Sequence, residues 1–255
     1  MIDPDNSGSD RSVADVLVLG GIVVTMDQRR SILSDGALAI CGDSIAALGP
    51  RPEIVDAYRA PTTLDATGCL VIPGLIDAHT HIPMTLFRGL ADDLPLHTWL
   101  EQHVWPAEHR FINPETVRWA SRLGVAELLR SGVTTLCDMY FYENEVAVVV
   151  DELGMRGVLA NAHFDVTSTT SADRTLAESE QFAALYDPVS HLAYAVEAAD
   201  VRTVIVDGRI VLRDGVLTTV DEREIRSQVR ALAMGIGSFR VGASPKVDIE
   251  HGIRS

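Results

Sequence analysis

The sequence predicts an α/β protein in which a β/α segment is inserted in a β domain built from both chain ends. Three observations carry this. Both ends hold short apolar runs punctuated by Gly and Asp-Gly turns, the middle alternates strand and helix patterns, and the chain is long enough for a sizeable core. Residues 1–12 read as a disordered tail. Residues 13–70 and 186–255 are assigned to the composite β domain, with a C-terminal helix, and 71–185 to the β/α segment.

Along the N-terminal part, 16–19, Gly20-Gly21 and 22–26 read as a strand with a glycine bulge or tight turn. Residues 37–40 and 44–48 around Gly42-Asp43 read as a hairpin. Residues 70–77 form one mostly apolar strand. Asn113-Pro114 starts a helix, Asn as the cap and Pro in the first turn, that stops at Gly132. Then come a strand over 133–139, a helix over 143–153, a strand over 157–164 and a helical pattern over 171–185. Near the end, 201–206, 209–212 and 216–220 are strands joined by Asp207-Gly208 and Asp214-Gly215, and Asp221 caps a last helix in a capping box with Glu224.

Composition excludes several functions. With 36 acidic and 21 basic residues the formal net charge is −15, and no Lys/Arg cluster offers a phosphate-binding face, so a nucleic-acid partner is not expected. The longest apolar runs fall well short of the roughly 20 residues that span a bilayer. The polar, acidic start lacks the pattern of a secretory signal. Cys41, Cys69 and Cys137 are widely spaced without a CxxC pair, which suits reduced thiols in the cytoplasm.

The chemistry concentrates at Asp77-Ala78-His79-Thr80-His81, where an apolar strand ends. Side chains alternate along a strand, so His79 and His81 share a side with Cβ atoms about 7 Å apart, a spacing that lets both imidazoles reach one divalent cation. A catalytic zinc ordinarily takes three protein ligands plus water, so two histidines are not yet a site.

The stretch PGLIDAHTHIPMTLFRGLADDLPLHTWLEQHVWPAE, residues 73–108, resembles the amidohydrolase superfamily. Within it, the stretch resembles the 5′-methylthioadenosine/S-adenosylhomocysteine deaminases, near the triazine chlorohydrolases. The resemblance continues through Gly132-Val133-Thr134-Thr135, Asp138-Met139-Tyr140 and Gly154-Met155-Arg156, and returns at 186–191 and 201–215. It implies a TIM-type (β/α) barrel beside a β-sandwich. It also implies a divalent metal, zinc in such deaminases, that activates water to displace ammonia from an aminopurine nucleoside. His79 and His81 match the first two metal ligands. Trp99 and Glu108 match pocket positions, the carboxylate set to receive ribose hydroxyls. Trp99 equally suits a core position, and Glu108 a solvated charge at a helix start.

The family pattern also calls for a His and a Glu three residues apart after strand 5, a His after strand 6 and an Asp after strand 8. No His-x-x-Glu occurs in these 255 residues. Segment 71–185 has room for three or four βα units at roughly 30 residues each, so the resemblance implies an incomplete barrel of about three strands. His163 with Asp165, and His97, His103 and His109, are weaker candidates, and no catalytic residue is assigned. His191 reads as structural, and Asp92 and Asp93 as loop-ordering residues. Two functions stay open: a deaminase or s-triazine hydrolase with half its site, or a non-catalytic deletion remnant acting as an interaction module. Open strand edges would favour a homo-oligomer or swapped assembly.

Overall fold

The computed structural model describes residues 11–162 and 201–237. Its first part runs β1 (Ser12–Val13), β2 (Val16–Leu19), β3 (Ile22–Val24), β4 (Ile32–Leu33), β5 (Gly36–Cys41), β6 (Ser44–Pro50), α1 (Arg51–Ala57), β7 (Tyr58–Arg59), β8 (Thr62–Asp65) and β9 (Leu70–Val71). The expected hairpin is present as β5 and β6, which lie in a four-stranded sheet of order β6-β5-β2-β8. Ser12, assigned to the free tail, instead pairs in β1 with Tyr58 of β7.

Two apolar runs that read as single strands are each divided between sheets. Gly20 and Gly21, at φ +82° and +79°, carry the chain from β2 into β3 of a second sheet, β4-β3-β9. A Cβ on Gly21 would stand 2.4 Å from the Ala66 carbonyl oxygen and 2.7 Å from that of Cys69, so only glycine fits the crossing. Likewise, residues 70–77 break at Ile72-Pro73-Gly74. Leu70–Val71 belongs to the β3 sheet, whereas Leu75 opens another, and Pro73 offers no ladder donor where the run divides.

That third sheet positions the site. β10 (Leu75–Thr80), β11 (Val133–Tyr140) and β12 (Arg156–Asn161) are parallel, in the order β10-β11-β12. Between β10 and β11 lie a 3-10 turn (Ile82–Phe87), α2 (Leu96–Trp99), a π-helical turn (Leu100–Val104), α3 (Trp105–Phe111) and α4 (Pro114–Arg130). α5 (Glu143–Leu153) joins β11 to β12. Asn113 caps α4 as expected. Its Oδ1 accepts from the amides of Glu115 at 3.0 Å and Thr116 at 3.1 Å, while Thr116 Oγ1 accepts from the Asn113 amide at 3.0 Å. Val117, Ala120, Ser121, Gly124, Val125 and Leu129 recur at helical spacing and form the buried face of α4. Of these, Val117, Ala120, Val125 and Leu129 join Leu136, Val146, Val149 and Leu153 in the main core, where each fully buried Val or Leu is worth about 1.5–3 kcal/mol.

The returning segment forms β13 (Thr203–Val206), β14 (Arg209–Arg213), β15 (Val216–Leu217) and α6 (Glu222–Gly237). Both Asp-Gly turns are present, with positive φ at Asp207, Gly208, Asp214 and Gly215, the backbone of tight hairpins. Asp221 Oδ1 caps α6 by accepting from Arg223 N at 2.8 Å. Among the described residues these strands pair with one another, in the order β13-β14-β15. β13 has a face toward each core: Val204 and Val206 join the cluster of Leu129, Leu136 and Leu153, while Ile205 meets that of Val16, Val18, Leu38 and Ile40. Polar contacts reinforce the first side. Arg130 donates to the Gly215 carbonyl at 2.7 Å and pairs with Glu222 at 3.2 Å, and Arg156 pairs with Asp207. The end of the expected strand at Phe164, the helix over 171–185, His163, Asp165 and His191 lie outside the described residues.

Candidate functional site

His79 stands on β10 and His81 just past its end, at the mouth of the parallel sheet. The alternation argument holds for their rings, whose centroids lie 5.0 Å apart with planes at 74°. His79 is exposed and His81 half-buried. His81 Nδ1 lies 2.7 Å from the Met139 carbonyl oxygen. A carbonyl can only accept, so Nδ1 carries the proton and the Nε2 lone pair is left for a cation. The chain on both sides of His81 is held by one carboxylate oxygen. Asp138 Oδ1 accepts from Thr80 Oγ1 at 2.6 Å and from the Ile82 amide at 2.8 Å.

Glu108 reaches the same place from α3. Its Oε1 accepts from the Tyr140 hydroxyl at 2.5 Å, and the Tyr140 ring centroid lies 6.4 Å from that of His81. Burial pushes the Glu108 carboxyl above the usual range; the Tyr140 hydrogen bond and the attraction of His81 pull the other way. Burial and the neighbouring Glu108 carboxylate push the Tyr140 hydroxyl up, so it stays a donor. His79, His81, Tyr140 and Glu108 are therefore one polar group.

Other sequence candidates are not part of it. Trp99 ends α2, half-buried, without hydrogen bond or ring contact to the group among the described residues. His97 and His109 are exposed and His103 half-buried, all on the segment between β10 and α4. Asp92 and Asp93 are exposed in the loop before α2. Conversely, the sequence reading gave no role to Asp138, Tyr140 or Glu143. The 138–140 motif placed two of them in a resembling stretch, but nothing in it shows that Tyr140 meets Glu108.

The two imidazoles suit a divalent cation that favours nitrogen donors. The set stops there: among the described residues no three His, Cys, Asp or Glu side chains are gathered to hold a metal ion.

Residues 70–193 match the amidohydrolase family. The chain carries an amidohydrolase domain. Two relatives are named 5-methylthioadenosine/S-adenosylhomocysteine deaminase. That of Syntrophobacter fumaroxidans is 48% identical over 161 residues, 63% of this chain and 36% of the relative. That of Pelotomaculum thermopropionicum is 33% identical over 241 residues, 90% of this chain and 54% of the relative. The amidohydrolase chain thus spans about half the length, or less, of these relatives. Among solved structures, an adenosine deaminase from Xanthomonas campestris with bound zinc superposes at a TM-score of 0.67 and 28% identity, over 89% of this chain and 48% of that one.

Proposed function

We propose that the amidohydrolase domain carries the first half of a deaminase site, in which His79 and His81 hold a divalent cation, zinc, and Glu108 and Trp99 receive an aminopurine nucleoside of the methylthioadenosine or S-adenosylhomocysteine type. The observation that carries this is the convergence of the His79 and His81 rings, with His81 Nε2 unpartnered among the described residues, beside the Tyr140–Glu108 pair. A cation bound there supplies the Lewis acidity that makes water nucleophilic at neutral pH. The overall reaction exchanges the purine amine for oxygen: water enters at the amine-bearing carbon and ammonia leaves.

The chain's own residues do the following. The Met139 carbonyl keeps the proton on His81 Nδ1 and so fixes the ligating tautomer. Tyr140 holds one Glu108 oxygen, leaving the other for the sugar hydroxyls. Glu108 is thereby a binding group, and no proton-moving role is given to it. Two imidazoles without the family's further His, Glu and Asp supply neither a full ligand set nor a proton shuttle, so this chain alone binds without turnover.

In this proposal 71–162 is the start of an incomplete barrel, inserted in one composite β domain built from both chain ends. The non-catalytic reading is favoured by the two-ligand set itself. In either case an assembly of copies would pair the edges of β10 and β12 that carry no strand among the described residues. No helix among the described residues is long and apolar enough to cross a membrane. We place the protein in the cytoplasm on its free thiols, Cys41, Cys69 and Cys137.

The test is to measure bound zinc per chain and ammonia release from methylthioadenosine, S-adenosylhomocysteine and an amino-s-triazine. Zinc bound through His79 and His81 with no ammonia supports the half-site. Turnover of the triazine alone would overturn the nucleoside assignment, and turnover of any substrate would overturn the claim that the site is incomplete.

A further inference from the structure

Beside the His81 segment two carboxyl groups share one closed space. Asp138 on β11 is 1% exposed, and Glu143, the first residue of α5, is 0% exposed. Asp138 Oδ1 is fully used by Thr80 Oγ1 and the Ile82 amide. Among the described residues, Asp138 Oδ2 and both Glu143 carboxyl oxygens are buried without a donor. The two groups lie within hydrogen-bonding reach of each other. As two carboxylates neither could donate, and both charges would be buried side by side, an arrangement that is strongly unfavourable. One proton resolves both problems, since it supplies the missing donor and removes one charge.

We propose that Asp138 and Glu143 form a one-proton carboxyl pair, with Glu143 as the donor, that clamps Thr80-His81-Ile82 and so positions the His81 imidazole. The proton belongs on Glu143 because Asp138 is the member that already accepts two hydrogen bonds, which favour its charged form. Burial and the Asp138 carboxylate push Glu143 up to about 10, in accord with this assignment. The clamp reaches His81 twice. Asp138 holds both flanking residues, and the carbonyl of the next residue, Met139, holds the ring at Nδ1. On the far side, the Glu143 amide donates to Asn161 Oδ1 at 3.3 Å, which ties the pair to β12. Asp138 and Glu143 are positioning residues. Their bearing on cation binding rests on the reading of His81 as a ligand; the pair itself does not.

The experiment uses the full chain without metal, so a failure of the ligand assignment cannot be mistaken for a failure of the pair. Infrared spectra at pH 7 are expected to show a protonated carboxyl band that Glu143→Gln removes and Glu108→Gln leaves. Amide hydrogen exchange follows Ile82 relative to Leu136 of the same fold. Glu143→Gln retains a donor to Asp138 and should leave Ile82 protected. Glu143→Ala removes it and should speed Ile82 exchange about tenfold over any change at Leu136. Absence of the band in the wild type, its persistence in Glu143→Gln, or loss of Ile82 protection in Glu143→Gln would overturn the proposal. So would an Ile82-to-Leu136 ratio unchanged in Glu143→Ala. If the Ala variant does not fold, the wild-type and Gln measurements still decide.

Discussion

The Tyr140 hydroxyl donates to Glu108 Oε1 at 2.5 Å, joining a strand residue to a helix residue 32 positions earlier in the chain. The bond fixes Glu108 beside the histidine pair, and it is the donor that keeps a half-buried carboxylate from standing without a partner.

Tyr140→Phe tests that bond. Removing a donor to a partly buried carboxylate should cost about 1–3 kcal/mol in urea unfolding. It should also move the Glu108 titration upward, because the hydroxyl is one of the influences holding it down. An unchanged unfolding midpoint and an unchanged Glu108 titration would show that the contact is incidental.

Glu143 gives a pH signature of definite sign. Its carboxyl is pushed up to about 10 in the fold, from an ordinary value of 4.5. Between those values the unfolded chain has released the proton that the folded chain keeps, so this group lowers stability as pH rises. Its contribution is flat below about 4.5 and flat again above about 10. Glu143→Gln removes the dependence, so its stability relative to the wild type should climb between pH 5 and pH 8, by up to ~1.4 kcal/mol per pH unit. A constant difference across that range would contradict the buried proton.

The cap on α4 is a local device, and Asn113→Ala should cost about 1 kcal/mol of unfolding free energy. Both amides that Asn113 Oδ1 accepts, Glu115 and Thr116, would turn to water instead. A loss below a few tenths of a kcal/mol would mean that Thr116 carries the helix start unaided.

What the sequence discloses follows the range of the forces involved. α4, α5, β11 and the Asp-Gly hairpins were legible because caps, turn residues and β-branched runs act within a few positions. The division of 16–26 and of 70–77 between sheets was not, since an apolar run is the same whichever sheet receives it; only the Gly21 approach to Ala66 and Cys69 decides. The site shows the same contrast. His79 and His81 were found by a two-residue spacing. Asp138 meets Thr80 across 58 positions, and Tyr140 meets Glu108 across 32, so neither pairing leaves a local pattern. Glu143 looks like an ordinary acidic residue in a helix's first turn, and its burial appears only in the fold.

The shared core predicts cooperativity. Leu212 of β14 is 0% exposed and belongs to the cluster of Leu129, Leu136 and Leu153. Leu212→Ala should cost about 2–5 kcal/mol and shift one common transition in circular dichroism and tryptophan fluorescence. Loss of β13–β15 alone, with α4 and α5 unaffected, would show that the returning segment is an independent unit.

The most direct test of the central claim is a zinc titration of the wild-type chain against the His79→Ala/His81→Ala double variant. The half-site account predicts that the wild type takes up zinc and that the double variant loses that uptake by at least about tenfold while keeping its fold. Equal uptake by the two proteins would contradict it.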